Sequence, residues 1–324
     1  MKRLLLKFVI SGVLLGLFLW RTPLSEIWSH LHSLNAVSLI GAVVLSVVAW
    51  CLSGARLWWL LPGFRISELI HVNFTSIFYG TILPGQIAGD VVKAYRLGRR
   101  SPSPGYAEAA TLVDRVVALL AMFIIGAGAA FFAPKLPPIL RMFFVAGALA
   151  ILFICGVAAS NPFRHVLLER VLPSGAGQFR SFIRQFGIAM HDCLRRPLRM
   201  LGVLVVAVLF HVLCIIVNVL LGHALRIPLT WIEWSLVYTG VTLLVLLPIS
   251  VAGIGLRESG YIGMLSLFSV SAAAALSMSF IVFGLALFGA LVGGVLEFVA
   301  PRHPRNVLLY PSKTAQKDES TPVD

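Results

Sequence analysis

The chain has 324 residues, 59% of them hydrophobic and only 12% charged, with a formal net charge of +13. Soluble proteins carry about 25% charged residues, so the composition excludes a soluble globular enzyme and predicts an all-α polytopic membrane protein. The cations fall in short segments between hydrophobic runs, which reads as topology signal and affinity for anionic headgroups, not as nucleic-acid binding.

A span needs roughly 20 apolar residues. The first candidate is Leu4–Trp20, behind a basic start at Lys2 and Arg3. No small-residue cleavage site follows it, so it is expected to stay as a span. Ala36–Leu60 comes next. Leu69–Val92 is hydrophobic but broken, and Ala107–Phe132 and Met142–Ala159 are continuous. The loop 161–197 holds Phe179, Phe182, Ile183, Phe186, Met190 and Leu194 on one helical face. It fits an amphipathic helix lying on anionic lipid or packing across the cytoplasmic ends of the spans. Leu198–Leu221 is a span, Trp234–Phe268 is a second broken region, and Ala272–Ala300 is the last span. The membrane domain is expected over 1–305, and the polar tail 306–324 is expected to be disordered. The total is about six full spans and two re-entrant or broken helical hairpins.

Lys2, Arg3 and Lys7, then Lys93–Arg100, then the central loop, then Arg302–Lys317 form the basic clusters. The positive-inside rule places both termini in the cytoplasm of a multi-pass protein of the cell inner membrane. Arg96–Arg100 stay inside only if the first broken region returns to the side it came from. The second must then enter from the other side, which makes an inverted repeat.

The two broken regions also match residue by residue. LPGQIAGDVVKAYR at Leu83–Arg96 aligns with LPISVAGIGLRE at Leu247–Glu258, 164 residues later, so that Lys93 falls on Arg257. Pro84, Gly85 and Gly89 break the first copy, and Pro248, Gly253 and Gly255 the second. Such paired breaks point to a transporter's binding site. Asp90, Lys93 and Arg96 follow the first break, and a helix N-terminus there would attract a phosphate. The competing reading is a membrane-boundary cap with Lys93 snorkelling. Arg257 and Glu258 follow the second break, as a compensating pair or a gate. Asp114 and Arg115 lie two turns into a span and need partners. Lys93 or Arg257 is expected for Asp114 and Glu258 for Arg115, either as part of a site or as an ion pair locking helices. His71, Asn73, Thr75, His211 and Asn218 read as interhelical hydrogen bonds, and Arg56 and Glu297 as snorkelling ends. Cys51, Cys155, Cys193 and Cys214 stand alone, so no metal or cofactor is expected. There is no Walker A loop, GxSxG or HExxH.

At ILPGQIAGDVVKAYRL, Asp114-Arg115 and LLPISVAGIGLRES the chain resembles the transmembrane domain of lysylphosphatidylglycerol synthetases. More broadly it is similar to the flippase-like integral membrane family that shares this domain. The likeness covers about residues 1–300. It departs at Ala88, where the family often has a second glycine, and at Asp114, where a glutamate is common. The resemblance implies lipid translocation, with aminoacylated phosphatidylglycerol or polyprenyl-linked glycans as family substrates. Some members carry a soluble aminoacyl-transferase domain. The sequence runs to Asp324 without one, so that synthetase activity is expected to be absent.

The expected function is therefore a flippase for an anionic or polyprenyl-phosphate-linked lipid, not an enzyme. Lys93, Arg96 and Arg257 would meet the phosphate, and Asp90, Asp114 and Glu258 would set charge balance or gate. Two other readings stand beside it. One is a membrane-embedded glycosyl or lipid transferase, for which Glu26 is the one candidate acid. The other is a scaffold recruiting a lipid-modifying enzyme through the basic loop. Membrane lipids are the expected partners, and a second copy of the chain or a lipid-biosynthetic enzyme is left open.

Overall fold

A computed structural model describes residues 25, 28–29, 34–83, 87–133, 136–160, 185–191, 195–247, 250 and 252–299. The expected span Leu4–Trp20, most of the 161–197 loop, the 306–324 tail, and Pro84, Gly85 and Pro248 lie outside the described residues. Among the described residues the regular elements are helices, without a strand.

Helix α1 is Ala36–Arg56, prolonged by a 3-10 turn at Leu57–Trp59. Asn35 caps it by accepting from the Val37 N–H at 3.0 Å. The first broken region resolves into α2 (Ile66–Ile82) and α3 (Ile87–Arg100), followed by α4 (Pro104–Phe131) and α5 (Pro138–Ala159). Helix α6 is Pro197–Ala224. The second broken region becomes α7 (Trp231–Val245) and α8 (Leu256–Ser266), and α9 is Ala272–Val299. Three of the long helices open on proline, which has no N–H to leave unsatisfied in the first turn. Thr230 and Glu233 cap α7 reciprocally, at 3.3 Å and 2.8 Å.

Five helical stretches, of 20 to 28 residues, are long and apolar enough to cross a membrane. The four helices of the broken regions are not. They have 17, 14, 15 and 11 residues, so at 1.5 Å per residue they reach about 17–26 Å against a core of about 30 Å.

Close approaches fix their directions. A Cβ on Gly89, at the start of α3, would meet the Ser76 carbonyl of α2, while Lys93 further on bonds Asn73 further back. Helices α2 and α3 are therefore antiparallel and form a hairpin. In the second region Gly240 faces Met264 and Gly260 faces Val241, so α7 and α8 also form a hairpin. Helices α1 and α6 cross antiparallel, because Gly41 meets Leu220 and Gly202 meets Trp59.

Each second-half helix begins within five residues of the point 164 positions after its first-half counterpart. The packing follows the same rule. The pairs α2–α9 and α4–α7 correspond, as do α3–α4 and α8–α9, and α1–α6 corresponds to itself. Since α1 and its counterpart α6 run in opposite directions, the two halves form an inverted repeat. The first hairpin enters from the face where α1 ends and the second from the opposite face. The first of these, the basic face, carries Arg99, Arg100, Arg195, Arg196 and Arg199 at helix ends.

The surface is apolar and the interior holds charge, the reverse of a soluble protein. Val37, Ile40, Val44 and Val48 line one exposed stripe of α1, and Leu287, Leu291, Val295 and Phe298 one of α9. Lys93, Asp114, Arg257 and Glu258 are buried. Residues 185–191 form a short helix whose Ala189 and Met190 are buried in the core that includes Leu97 and Val203. This part of the central loop therefore packs onto the helix ends. Phe179, Phe182, Ile183 and Leu194 lie outside the described residues.

Candidate functional site

The first hairpin seats its charges through Gly89. A Cβ there would lie 2.3 Å from the Ser76 carbonyl oxygen, so only glycine lets the first turn of α3 lie against α2. One turn on, Lys93 is 6% exposed. Its Nζ donates to Asn73 Oδ1 at 2.8 Å, and Asn73 Nδ2 donates to the Trp50 carbonyl at 2.9 Å. No carboxylate among the described residues reaches Lys93 at ion-pair distance. Asp90 instead forms an ion pair with Arg115 Nε, on α4, at 3.3 Å.

Asp114 does not pair with Lys93 or Arg257, nor Arg115 with Glu258. Asp114 accepts from Arg56 Nε at 2.6 Å and Nη2 at 2.9 Å, with both side chains buried. Arg56 therefore does not snorkel: the last turn of α1 lies against α4, and Asp114 is the acid it meets there. Glu297 is likewise engaged. Arg96 clasps it through Nη1 at 2.7 Å and Nη2 at 2.6 Å, Tyr79 OH donates to it at 3.2 Å, and the guanidinium lies over the Tyr79 ring. Arg96 is thereby tied to the end of α9.

The second hairpin turns through left-handed backbone, with φ of 51° at Ala252, 77° at Gly253 and 84° at Gly255. A Cβ at Gly253 would sit 2.8 Å from a Val245 methyl, so glycine serves both the conformation and the fit. Glu258, 2% exposed, folds back on its own helix. It accepts from the Gly255 N–H at 2.6 Å and the Ser279 hydroxyl at 3.0 Å. It therefore caps α8 and makes no ion pair with Arg257. Arg257 is 6% exposed, donates from Nη2 to the Ala252 carbonyl at 3.0 Å, and lies 4.9 Å over the Phe283 ring. Its Nη1 is buried without a partner, as is the Ser250 hydroxyl.

The two copies are thus alike in one respect and unlike in another. Lys93 and Arg257 occupy corresponding positions, both buried, and neither meets a carboxylate among the described residues. Arg115 and Ser279 also correspond, and each holds the acid of the neighbouring hairpin. The cations do not converge on one point. Glu297, which holds Arg96, lies fourteen residues along α9 from Phe283, under Arg257, or about 21 Å at 1.5 Å per residue. Between the clusters His211 links α6 to Tyr238 of α7 and to the Ala118 carbonyl of α4, and Asn218 accepts from Tyr261 of α8. Among the described residues no three of His, Cys, Asp and Glu come together as a metal site.

Sequence reasoning assigned no site role to Arg56, Glu297, Tyr79, Ser279 or Phe283. The 164-residue offset would have found Ser279, since it places that residue opposite Arg115. Nothing local marks the partners Arg56 and Glu297, which lie 58 and 201 residues from the groups they bind.

A family model described as the lysylphosphatidylglycerol synthase TM region matches residues 4–294. The chain belongs to this family. The match takes in both hairpins, Asp114 and Arg115, and most of α9. With five helices able to cross a membrane, this member of the lysylphosphatidylglycerol synthase TM family is a multi-pass membrane protein of a lipid-related family. No curated protein and no solved structure matches it.

Proposed function

We propose that the chain is a lipid flippase of the inner membrane, moving an anionic or polyprenyl-phosphate-linked lipid between leaflets without catalysing a covalent step. One observation carries the reading: Lys93 and Arg257, at corresponding positions of the inverted repeat, are both buried without a carboxylate at ion-pair distance among the described residues. A buried charge outside a direct ion pair is costly, and one inside a membrane protein marks a pathway or a site. A phosphate headgroup is an anion that would visit both. The acids nearby are committed elsewhere, Asp90 to Arg115 and Glu258 to its own helix cap.

The headgroup would meet Lys93 and Arg257 in turn, with rocking of one half against the other exposing each. The basic face is the cytoplasmic one, by the positive-inside rule. On that face Arg96 and Glu297 tie the first hairpin to α9, so the clasp acts as a latch and not as a phosphate ligand.

The test uses Lys93→Met and Arg257→Met in proteoliposomes containing headgroup-labelled anionic lipids. Replacing a buried cation that makes no ion pair with an apolar side chain should leave thermal stability unchanged or raised, while translocation falls at least tenfold. Wild-type translocation of every lipid tried by both variants would refute the reading.

A further inference from the structure

A second site lies at the other end of the second half, outside both charge clusters. On the face opposite the basic one, a cleft of about 470 Å³ opens between the α6–α7 and α8–α9 connections. Leu225 and Ala274 form its buried floor, Phe268 one wall, and Arg226, Ser269 and Ser271 its polar side.

Two of these residues hold an unusual backbone. Helix α6 ends in a Schellman motif, with the Ile227 N–H on the Gly222 carbonyl at 2.9 Å and the Arg226 N–H on that of His223 at 3.0 Å. Helix α8 ends the same way, with the Val270 N–H on the Leu265 carbonyl and the Ser269 N–H on that of Ser266. The residue that turns left-handed in this motif is usually glycine. Here it is Arg226, at φ 57°, and Ser269, at φ 61°. A chain with 28 glycines places side chains at two positions where glycine is favoured, and both line the same cleft. A residue kept in such a conformation points to work done by its side chain.

The chemistry selects an anion. Arg226 meets no carboxylate among the described residues. The acid in the first turn of α7, Glu233, is taken up by the N–H and hydroxyl of Thr230 at 2.8 Å and 2.9 Å. The Ser271 hydroxyl accepts from the Ala274 N–H, so the start of α9 is already capped. The position selects a lipid. Four helix ends meet at this face, and Trp231, 58% exposed at the first position of α7, follows three residues after Pro228 of the cleft lining. Interfacial tryptophans of this kind sit at headgroup level. A guanidinium over an apolar floor at that level suits a phosphate headgroup with its glycerol and the first carbons of its chains.

We infer that this cleft binds the net-anionic phosphate headgroup of a lipid from the leaflet opposite the basic face, with Arg226 as its charge partner. As a step of transport the site is where the headgroup arrives or leaves, and that role rests on the flippase reading; the binding itself does not.

Arg226→Gly tests it without endangering the fold, because glycine suits the left-handed position better. The full chain is reconstituted with a photoreactive phosphatidylglycerol analogue, and labelled peptides are mapped. Wild type is expected to label in the 225–228 and 268–271 connections. Arg226→Gly should lower that labelling at least fivefold with no fall in melting temperature, and Arg226→Lys should retain most of it. Equal labelling by a phosphate-free diacylglycerol analogue would overturn the proposal, leaving only a greasy cleft. Displacement of the lipid by millimolar inorganic phosphate would overturn it in favour of a free-anion site. Undiminished labelling of Arg226→Gly would also overturn it. Lys93→Met should keep the labelling while losing translocation. If wild type labels in an Arg226-dependent way yet moves no lipid, the site stands and the flippase reading falls.

Discussion

Asp114→Ala is the substitution whose cost follows most directly from the structure. The carboxylate accepts two bonds from Arg56, at 2.6 Å and 2.9 Å, and the two side chains are 4% and 5% exposed. Arg56 already has one buried nitrogen, Nη1, without a partner. Removing the acid leaves a guanidinium with no counter-ion and three unsatisfied nitrogens where water cannot reach. Breaking a buried pair from one side costs about 3–5 kcal/mol, a large share of a typical fold stability of about 5–15 kcal/mol. The melting temperature in detergent should fall by about 10 °C, taking about 2–4 °C per kcal/mol. The double variant Arg56→Met/Asp114→Leu removes both charges and fills both volumes, so it should recover most of the loss, since apolar replacement of a buried pair is often neutral. A double-mutant cycle by thermal melting measures the coupling. An Asp114→Ala protein as stable as wild type would refute the reasoning, as would a double variant no better than the single.

Three further outcomes follow from other contacts. Gly89→Ala places a methyl 2.3 Å from the Ser76 carbonyl and should destabilise by about 1–3 kcal/mol. Gly128→Ala, with nothing within 4 Å, should be neutral or stabilising by up to about 1 kcal/mol, and the two melts read side by side test the hairpin packing. Glu297→Gln opens the Arg96 clasp, whose side chains are 20–25% exposed, so it should cost at most about 1 kcal/mol while amide exchange in α3 rises. Unchanged exchange there would remove Arg96 and Glu297 from the role of latch. The Lys93→Met and Arg257→Met pair should separate stability from transport in the direction opposite to Asp114→Ala, which a purely structural role for those cations would not produce.

Hydropathy located the long described helices to within a few residues at most ends, because a span has to be long and apolar whatever it packs against. The hairpins were legible through the repeat: Lys93 and Arg257 share a register that composition alone would never reveal. What stayed hidden was pairing. Arg56 closes a hydrophobic run beside Trp58 and Trp59, and Glu297 closes another, so both look like residues reaching for water. Their partners come from distant helices, and the pairing depends on how α1 meets α4 and how α9 meets α2. The asymmetry of the motifs, acid before cation in one copy and after it in the other, had no explanation in the sequence. It follows from what each acid does, since Asp90 binds across to α4 while Glu258 turns back to cap α8.

The antiparallel crossing of α1 and α6 has a kinematic consequence. It is the contact that the pseudo-twofold maps onto itself, with Gly41 against Leu220 toward one face and Gly202 against Trp59 toward the other. Exchanging the conformations of the two halves turns the α2–α9 contact into the α4–α7 contact, but turns α1–α6 into itself. That crossing is the fulcrum on which the two faces could be interchanged without either hairpin leaving the protein. A covalent bridge across α1 and α6 should leave such an exchange free, whereas one between α2 and α9 should arrest it.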